Sequence, residues 1–174
     1  MEFLIVDDDR TICNGTARRV RNMGLAEVAG VHCAYSAEEA LEIIRSQVFH
    51  VMLTDIRMGE KDGLWLVHHA KAIQPCMVCI IITAYGQFQY AQEAIREGVE
   101  DFLVKPCSES DMRSCITKVI EKLNAGAIIR LADFRQQVQR AAATPEGSLC
   151  ACAFACGQCL PEQTYAMVWQ PGVA

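Results

Sequence analysis

The sequence predicts an α/β fold: five parallel strands in one sheet, with helices packed on both faces. Three observations predict it. Five short runs rich in Val, Ile, Leu and Phe recur along residues 1–124. Stretches with helical spacing of apolar residues separate them. The runs are almost continuously apolar rather than alternating, as expected of strands covered on both faces.

The strands are expected at Phe3–Val6, Val28–Ala34, Val51–Leu53, Val78–Ile82 and Phe102–Val104. The helices are expected from about Thr11 to Met23, Ser36 to Ser46, Gly63 to Ile73 and Phe88 to Glu97, and from Ser108 onward. Ser36 with Glu39 three residues later forms a capping box that fixes a helix start, and Ser108 with Asp111 is a weaker version. Gly24 and Gly98 stand where helices should stop. Right-handed crossovers between five βα units favour a flavodoxin-like strand order, 2-1-3-4-5. The last helix reads as continuous over 109–143, a C-terminal helical extension. Its near-heptad stripe of Ile116, Val119, Ile120, Leu123, Ile128, Leu131, Phe134 and Val138 suits pairing with a second copy.

Composition narrows the function. A net charge of −5 gives no basic surface for nucleic acid, so direct nucleic-acid binding is not expected. No apolar run approaches the ~20 residues that span a bilayer, and the start, MEFLIVDDD, lacks the features of a secretory signal. No membrane association and a cytoplasmic location are expected. There, the ten cysteines are not expected to form a disulfide framework.

In an open parallel sheet, ligands bind outside the carboxyl ends of the strands. Asp7, Asp8 and Asp9 follow the first strand, Asp55 the third, Thr83 the fourth and Lys105-Pro106 the fifth. Crowded carboxylates raise one another's pKa unless a cation is supplied. Mg²⁺ suits such a site, being hard and oxygen-seeking, and Lys105 adds a second positive charge. Phosphoryl transfer needs this kind of positioning and neutralisation, and an Asp can accept the group as an acyl phosphate.

The pieces LIVDDD at 4–9, TDIRM at 54–58, DG at 62–63, IIITAYGQFQYAQEAI at 80–95 and GVEDFLVKP at 98–106 stand in order, each beside a strand end. Together they make residues 1–124 resemble the receiver domain of two-component response regulators. The stretch TAYGQFQYAQEAI most resembles receivers that precede an AraC-type helix-turn-helix domain. The resemblance implies that Asp55 accepts a phosphoryl group from a sensor histidine kinase, with Mg²⁺ as cofactor. It implies Asp7 and Asp8 as the acidic pair, Asp8 being the direct metal ligand and Asp7 acting through water. Asp55 and the backbone carbonyl of Arg57 complete the metal's ligands. Thr83 resembles the switch hydroxyl and Phe102 the switch aromatic. Lys105 resembles the family's lysine, and the Lys105-Pro106 bond its cis peptide. The implied output is a changed 88–124 surface, read by a partner or a second protomer. Two positions depart from the family: Gly59 stands where many members have proline, and Phe102 where many have tyrosine.

The resemblance implies a phosphoacceptor, with self-dephosphorylation at most, rather than an enzyme turning over external substrates. Two other readings stay open: a phosphorylation-independent flavodoxin-like interaction module, and an aspartyl phosphohydrolase. The second usually needs another acid two residues after the nucleophile, where Arg57 stands. His68 and His69 are adjacent on a helix and read as structural rather than metal-binding. Cys76-x-x-Cys79 lies at the entry of a strand, away from the strand-end site, and is not expected to act in redox chemistry. The expected division is a receiver over 1–124, a helical linker over 125–143 and a Cys-rich tail over 144–174. The tail's Cys150, Cys152, Cys156 and Cys159 lack the paired knuckles of a zinc site, and no role is assigned to them. A DNA-binding output domain needs about a hundred more residues, on the resemblance. The chain therefore reads as a fragment of a transcription regulator or as a receiver with an unusual tail.

Overall fold

A computed structural model describes residues 1–84, 94 and 96–142, with side chains beyond 128 described only at Gln136. The strands are β1 (Glu2–Val6), β2 (Gly30–Ala34), β3 (Val51–Thr54), β4 (Val78–Thr83) and β5 (Asp101–Val104). The helices are α1 (Arg10–Asn22), α2 (Ala37–Ser46), α3 (Gly63–Ile73) and α4 (Glu109–Ala142). The strands form one parallel sheet in the order β2-β1-β3-β4-β5, the flavodoxin-like order expected. The helix expected at 88–97 and the tail at 144–174 lie outside the described residues, apart from Ala94, Arg96 and Glu97.

Alternation along each strand divides the core between the two faces. Phe3, Ile5, Val51, Leu53, Ile80 and Ile82 pack with Cys13, Ala17 and Val20 of α1 and with Met112, Ile116 and Val119 of α4. Leu4, Val6, Met52 and Cys79 pack on the other face with Leu41 and Ile44 of α2 and with Leu66, Val67 and Ala70 of α3. Each large apolar side chain buried this way contributes roughly 1.5–3 kcal/mol. The sheet therefore needs both helical layers.

Helix ends follow local chemistry. Asp9 caps α1 by accepting from the N–H groups of Thr11 at 2.7 Å and Ile12 at 3.2 Å. Ser36 accepts from Glu39 N–H at 3.1 Å, while the Glu39 carboxylate reaches back to the Tyr35 N–H at 2.7 Å, one residue before the expected partner. Ser108 and Asp111 exchange bonds reciprocally, 3.0 Å from the Asp111 N–H and 3.2 Å from the Ser108 N–H. β2 is shorter than the apolar run Val28–Ala34. The Val28 N–H turns back to Leu25 O, and the Ala29 N–H to Met1 O, before the ladder begins.

The chain divides after Ala125. The unit Met1–Ala125 holds the whole sheet and its core. In the unit Gly126–Ala174, the described residues 126–142 are helical. Among the described residues, no helix is long and apolar enough to cross a membrane.

Candidate functional site

β1 delivers Asp7, β3 delivers Asp55 and β5 delivers Lys105 to one edge of the sheet. One ammonium joins them: Lys105 Nζ lies 2.6 Å from Asp7 Oδ2 and 3.2 Å from Asp55 Oδ2. All three side chains are well shielded, at 7% exposure for Asp7, 13% for Asp55 and 19% for Lys105. A small cleft beside them is lined by Asp7, Thr16, Thr54, Asp55 and Lys105.

Burial pushes the Asp7 carboxyl above its ordinary pKa; the Lys105 hydrogen bond and charge oppose the shift without cancelling it. Burial pulls the Lys105 ammonium the other way, but Asp7 and Asp55 outweigh it and hold the pKa above its ordinary value. Lys105 is therefore a fixed positive charge at neutral pH.

The acidic run splits into three environments. Asp7 is buried and accepts the Asp9 N–H on Oδ1 at 3.0 Å, leaving Oδ2 for Lys105. Asp8 is exposed at the rim. Asp9 turns away to cap α1, and the two backbone N–H groups it accepts hold its pKa below the ordinary carboxylate value. Of the three, Asp9 is thus the one spent on the helix start, which the sequence alone did not separate from its neighbours.

Asp55 is gripped on every polar atom. Its N–H donates to Val6 O at 2.9 Å, and its Oδ1 accepts the Ile56 N–H at 2.7 Å. Its Oδ2 faces Lys105, and its carbonyl accepts from Thr54 Oγ1 at 2.9 Å. Arg57 is exposed in the following loop. Thr83 ends β4, fully buried and paired with Val104; its carbonyl accepts the Lys105 N–H at 2.8 Å. The Lys105-Pro106 peptide is cis. Phe102 is partly buried against a small cluster of Ile56, Leu64, Ile81 and Ala94, on the opposite face of β5 from Leu103.

Among the described residues, no group of three His, Cys, Asp or Glu side chains forms a ready-made metal cage. The donor set still suits Mg²⁺, which keeps several waters and takes only one or two protein carboxylates. Asp8 and Asp55 are oxygen donors open to the rim or the cleft.

Two motifs lie outside the site. His69 stacks on Trp65 at 3.9 Å between ring centroids, and His68 pairs with Glu97 at 3.0 Å. Cys79 is buried in β4, where burial pushes its thiol up to about 12, while Cys76 is exposed. That burial denies Cys79 an accessible thiolate.

The sequence profile of the response regulator receiver domain matches residues 3–117. The chain belongs to this family. The transcriptional regulatory protein YesN of Bacillus subtilis, itself described as uncharacterized, is 34% identical over 123 residues, covering 70% of this chain and 33% of YesN. ZraR, a transcriptional regulatory protein of Escherichia coli K12, is 34% identical over 120 residues, covering 69% of this chain and 26% of ZraR. The receiver thus spans about a third of one relative and a quarter of the other. The crystal structure of a CheY-like receiver domain protein from Methanospirillum hungatei has a TM-score of 0.64 and 26% identity, covering 72% of this chain and 97% of that one. Thr54 and Gly63 were not among the site residues expected from sequence, yet both meet the Asp55 backbone. The only sequence signal for Gly63 was its place in the DG piece.

Proposed function

We propose that Asp55 is the phosphoacceptor of this receiver, and that a sensor histidine kinase is the donor. The observation that carries the reading is the single ammonium of Lys105 set between Asp55 and Asp7. Such a charge neutralises a phosphoryl oxygen on Asp55 as readily as it neutralises the carboxylate. The bond from phosphorus to the donor's imidazole nitrogen breaks, a bond from phosphorus to an Asp55 carboxylate oxygen forms, and the imidazole leaves. Asp7, Asp8, Asp55 and the backbone carbonyl of Arg57 are the residues that hold Mg²⁺, which supplies further positive charge to the phosphoryl oxygens. Asp7 acts through water, in keeping with its engagement by Lys105.

Thr83 then turns its hydroxyl toward the phosphoryl group, and Phe102 repacks behind it. The surface over 88–124 changes, and a partner or second protomer reads the change. The receiver covers 1–124, 125–143 continues the helix as a linker, and 144–174 is a tail without an assigned role. A dimer forms through the 88–124 face or through the long helix. The relatives' names support a transcription regulator as the whole protein, and a cytoplasmic location belongs to the same proposal. Self-dephosphorylation limits the life of the signal.

The test is intact-mass spectrometry after incubation with acetyl phosphate, with and without Mg²⁺, beside Asp55→Asn. One phosphoryl adduct that needs Mg²⁺ and is absent from the variant is the expected result. A folded protein with no adduct would favour the phosphorylation-independent module.

A further inference from the structure

Two residues converge on one atom outside the carboxylate, the main-chain carbonyl oxygen of Asp55. Thr54 is 1% exposed, and its Oγ1 donates to that oxygen at 2.9 Å. Met58 Sδ lies 3.8 Å from the same hydroxyl, so the side chain sits beneath the β3–α3 loop. Gly63, the first residue of α3, donates its N–H to Ile56 O at 2.7 Å. A Cβ at position 63 would lie 1.9 Å from the Asp55 carbonyl oxygen and 2.9 Å from its carbon. No side chain fits there without moving the Asp55 backbone, so α3 begins directly against the Asp55-Ile56 peptide.

The carbonyl of Asp55 and the N–H of Ile56 belong to one planar group and turn as a unit. That N–H donates to Asp55 Oδ1 at 2.7 Å. Holding the carbonyl oxygen therefore aims the N–H, and the N–H fixes which way the carboxylate faces. With Oδ1 anchored, Oδ2 is left toward Lys105. Without the Thr54 hydroxyl the plane can rock, and the carboxylate loses its fixed orientation.

We infer that Thr54 is a positioning residue for phosphoryl transfer, acting through the Asp55-Ile56 peptide plane, with Gly63 leaving room for the plane to seat. The inference rests on Asp55 being the phosphoacceptor. A purely structural Thr54 would affect stability only, because a buried hydroxyl also needs a partner for its own sake.

The test uses the full chain as wild type, Thr54→Val and Thr54→Ser. Initial rates of adduct formation are measured by intact mass over a range of acetyl phosphate concentrations in Mg²⁺, with thermal unfolding alongside. Thr54→Val keeps the shape and removes the donor. Its limiting rate is expected to fall about tenfold, within the range that small misplacements of reacting groups produce. The acetyl phosphate concentration giving half the limiting rate should stay the same. Thr54→Ser should return to within about twofold of wild type, because it restores the hydroxyl. A folded Thr54→Val with the wild-type limiting rate overturns the inference, whatever its melting temperature. So does a Thr54→Ser variant as slow as Thr54→Val. If Thr54→Val does not fold, Thr54→Cys, a weaker donor of similar size, replaces it and must be slower than Thr54→Ser. Wild type that takes up no phosphoryl group defeats the phosphoacceptor reading itself, a different result from wild type and Thr54→Val labelling alike.

Discussion

Lys105 holds two carboxylates with one ammonium, and the two do not benefit equally. Asp7 is the more buried and the closer, yet burial still raises its pKa above the ordinary 3.8. The fold thus holds a proton on Asp7 more tightly than the unfolded chain does. In the window above 3.8, unfolding releases that proton, and stability falls as pH rises. Replacing Asp7 with Asn removes this loss. Asp7→Asn is therefore expected to raise the thermal midpoint at neutral pH by a few degrees and to flatten the decline from acid to neutral pH. It should also slow phosphoryl uptake. Melting curves over that pH range check the first part; parallel curves for the two proteins would count against it. Lys105 has the same sign in a higher pH window. Its raised pKa contributes stability that is present below 10.5 and lost as pH rises through the folded value. At this scale the sequence showed which residue types meet at the strand ends. It did not show that Asp9 would be spent on a helix cap, because three adjacent aspartates look alike until α1 begins. Nor could it show Thr54, since a threonine at the end of a strand is ordinary and its role depends on a neighbouring carbonyl's direction.

Among the elements, the loop from β3 to α3 carries one of the two departures from the family pattern, Gly59. Gly59 has φ +89°, a region that proline cannot enter because its ring fixes φ near −65°. The glycine is thus matched to its own backbone, and restoring the family's proline should not rigidify this loop. Gly59→Pro is expected to cost at least about 1 kcal/mol, seen as a lower denaturant midpoint with unchanged slope. An unchanged or higher midpoint would show that the loop adopts the other backbone freely. Strands and helix starts were legible because apolar runs and caps are local signals. Ser36, Ser108 and Gly24 stand where the sequence placed helix boundaries. The end of β2 nearest Met1 was not legible, because it is set by hydrogen bonds from Val28 and Ala29 to residues outside the strand. Gly63 was read as half of a motif. Its physical reason, contact with the Asp55 carbonyl, appears only when α3 folds back on β3.

For the whole molecule, the sheet order follows from five βα units and right-handed crossovers, so topology was the most legible feature. The two faces of the sheet are each closed by a pair of described helices, which leaves the strand ends as the place where charged groups gather at the edge of the core. On the proposed reading, function at this scale reduces to one covalent event, on Asp55. The most direct measurement traps it chemically: phosphorylate the full chain with acetyl phosphate and Mg²⁺, reduce with borohydride, and sequence the peptides by tandem mass spectrometry. Borohydride reduces an acyl phosphate to an alcohol and leaves free carboxylates untouched. The account predicts homoserine at position 55 alone, and none when Mg²⁺ is omitted. Homoserine at Asp7, Asp8 or Asp9, or at no position in a folded and treated protein, would contradict it.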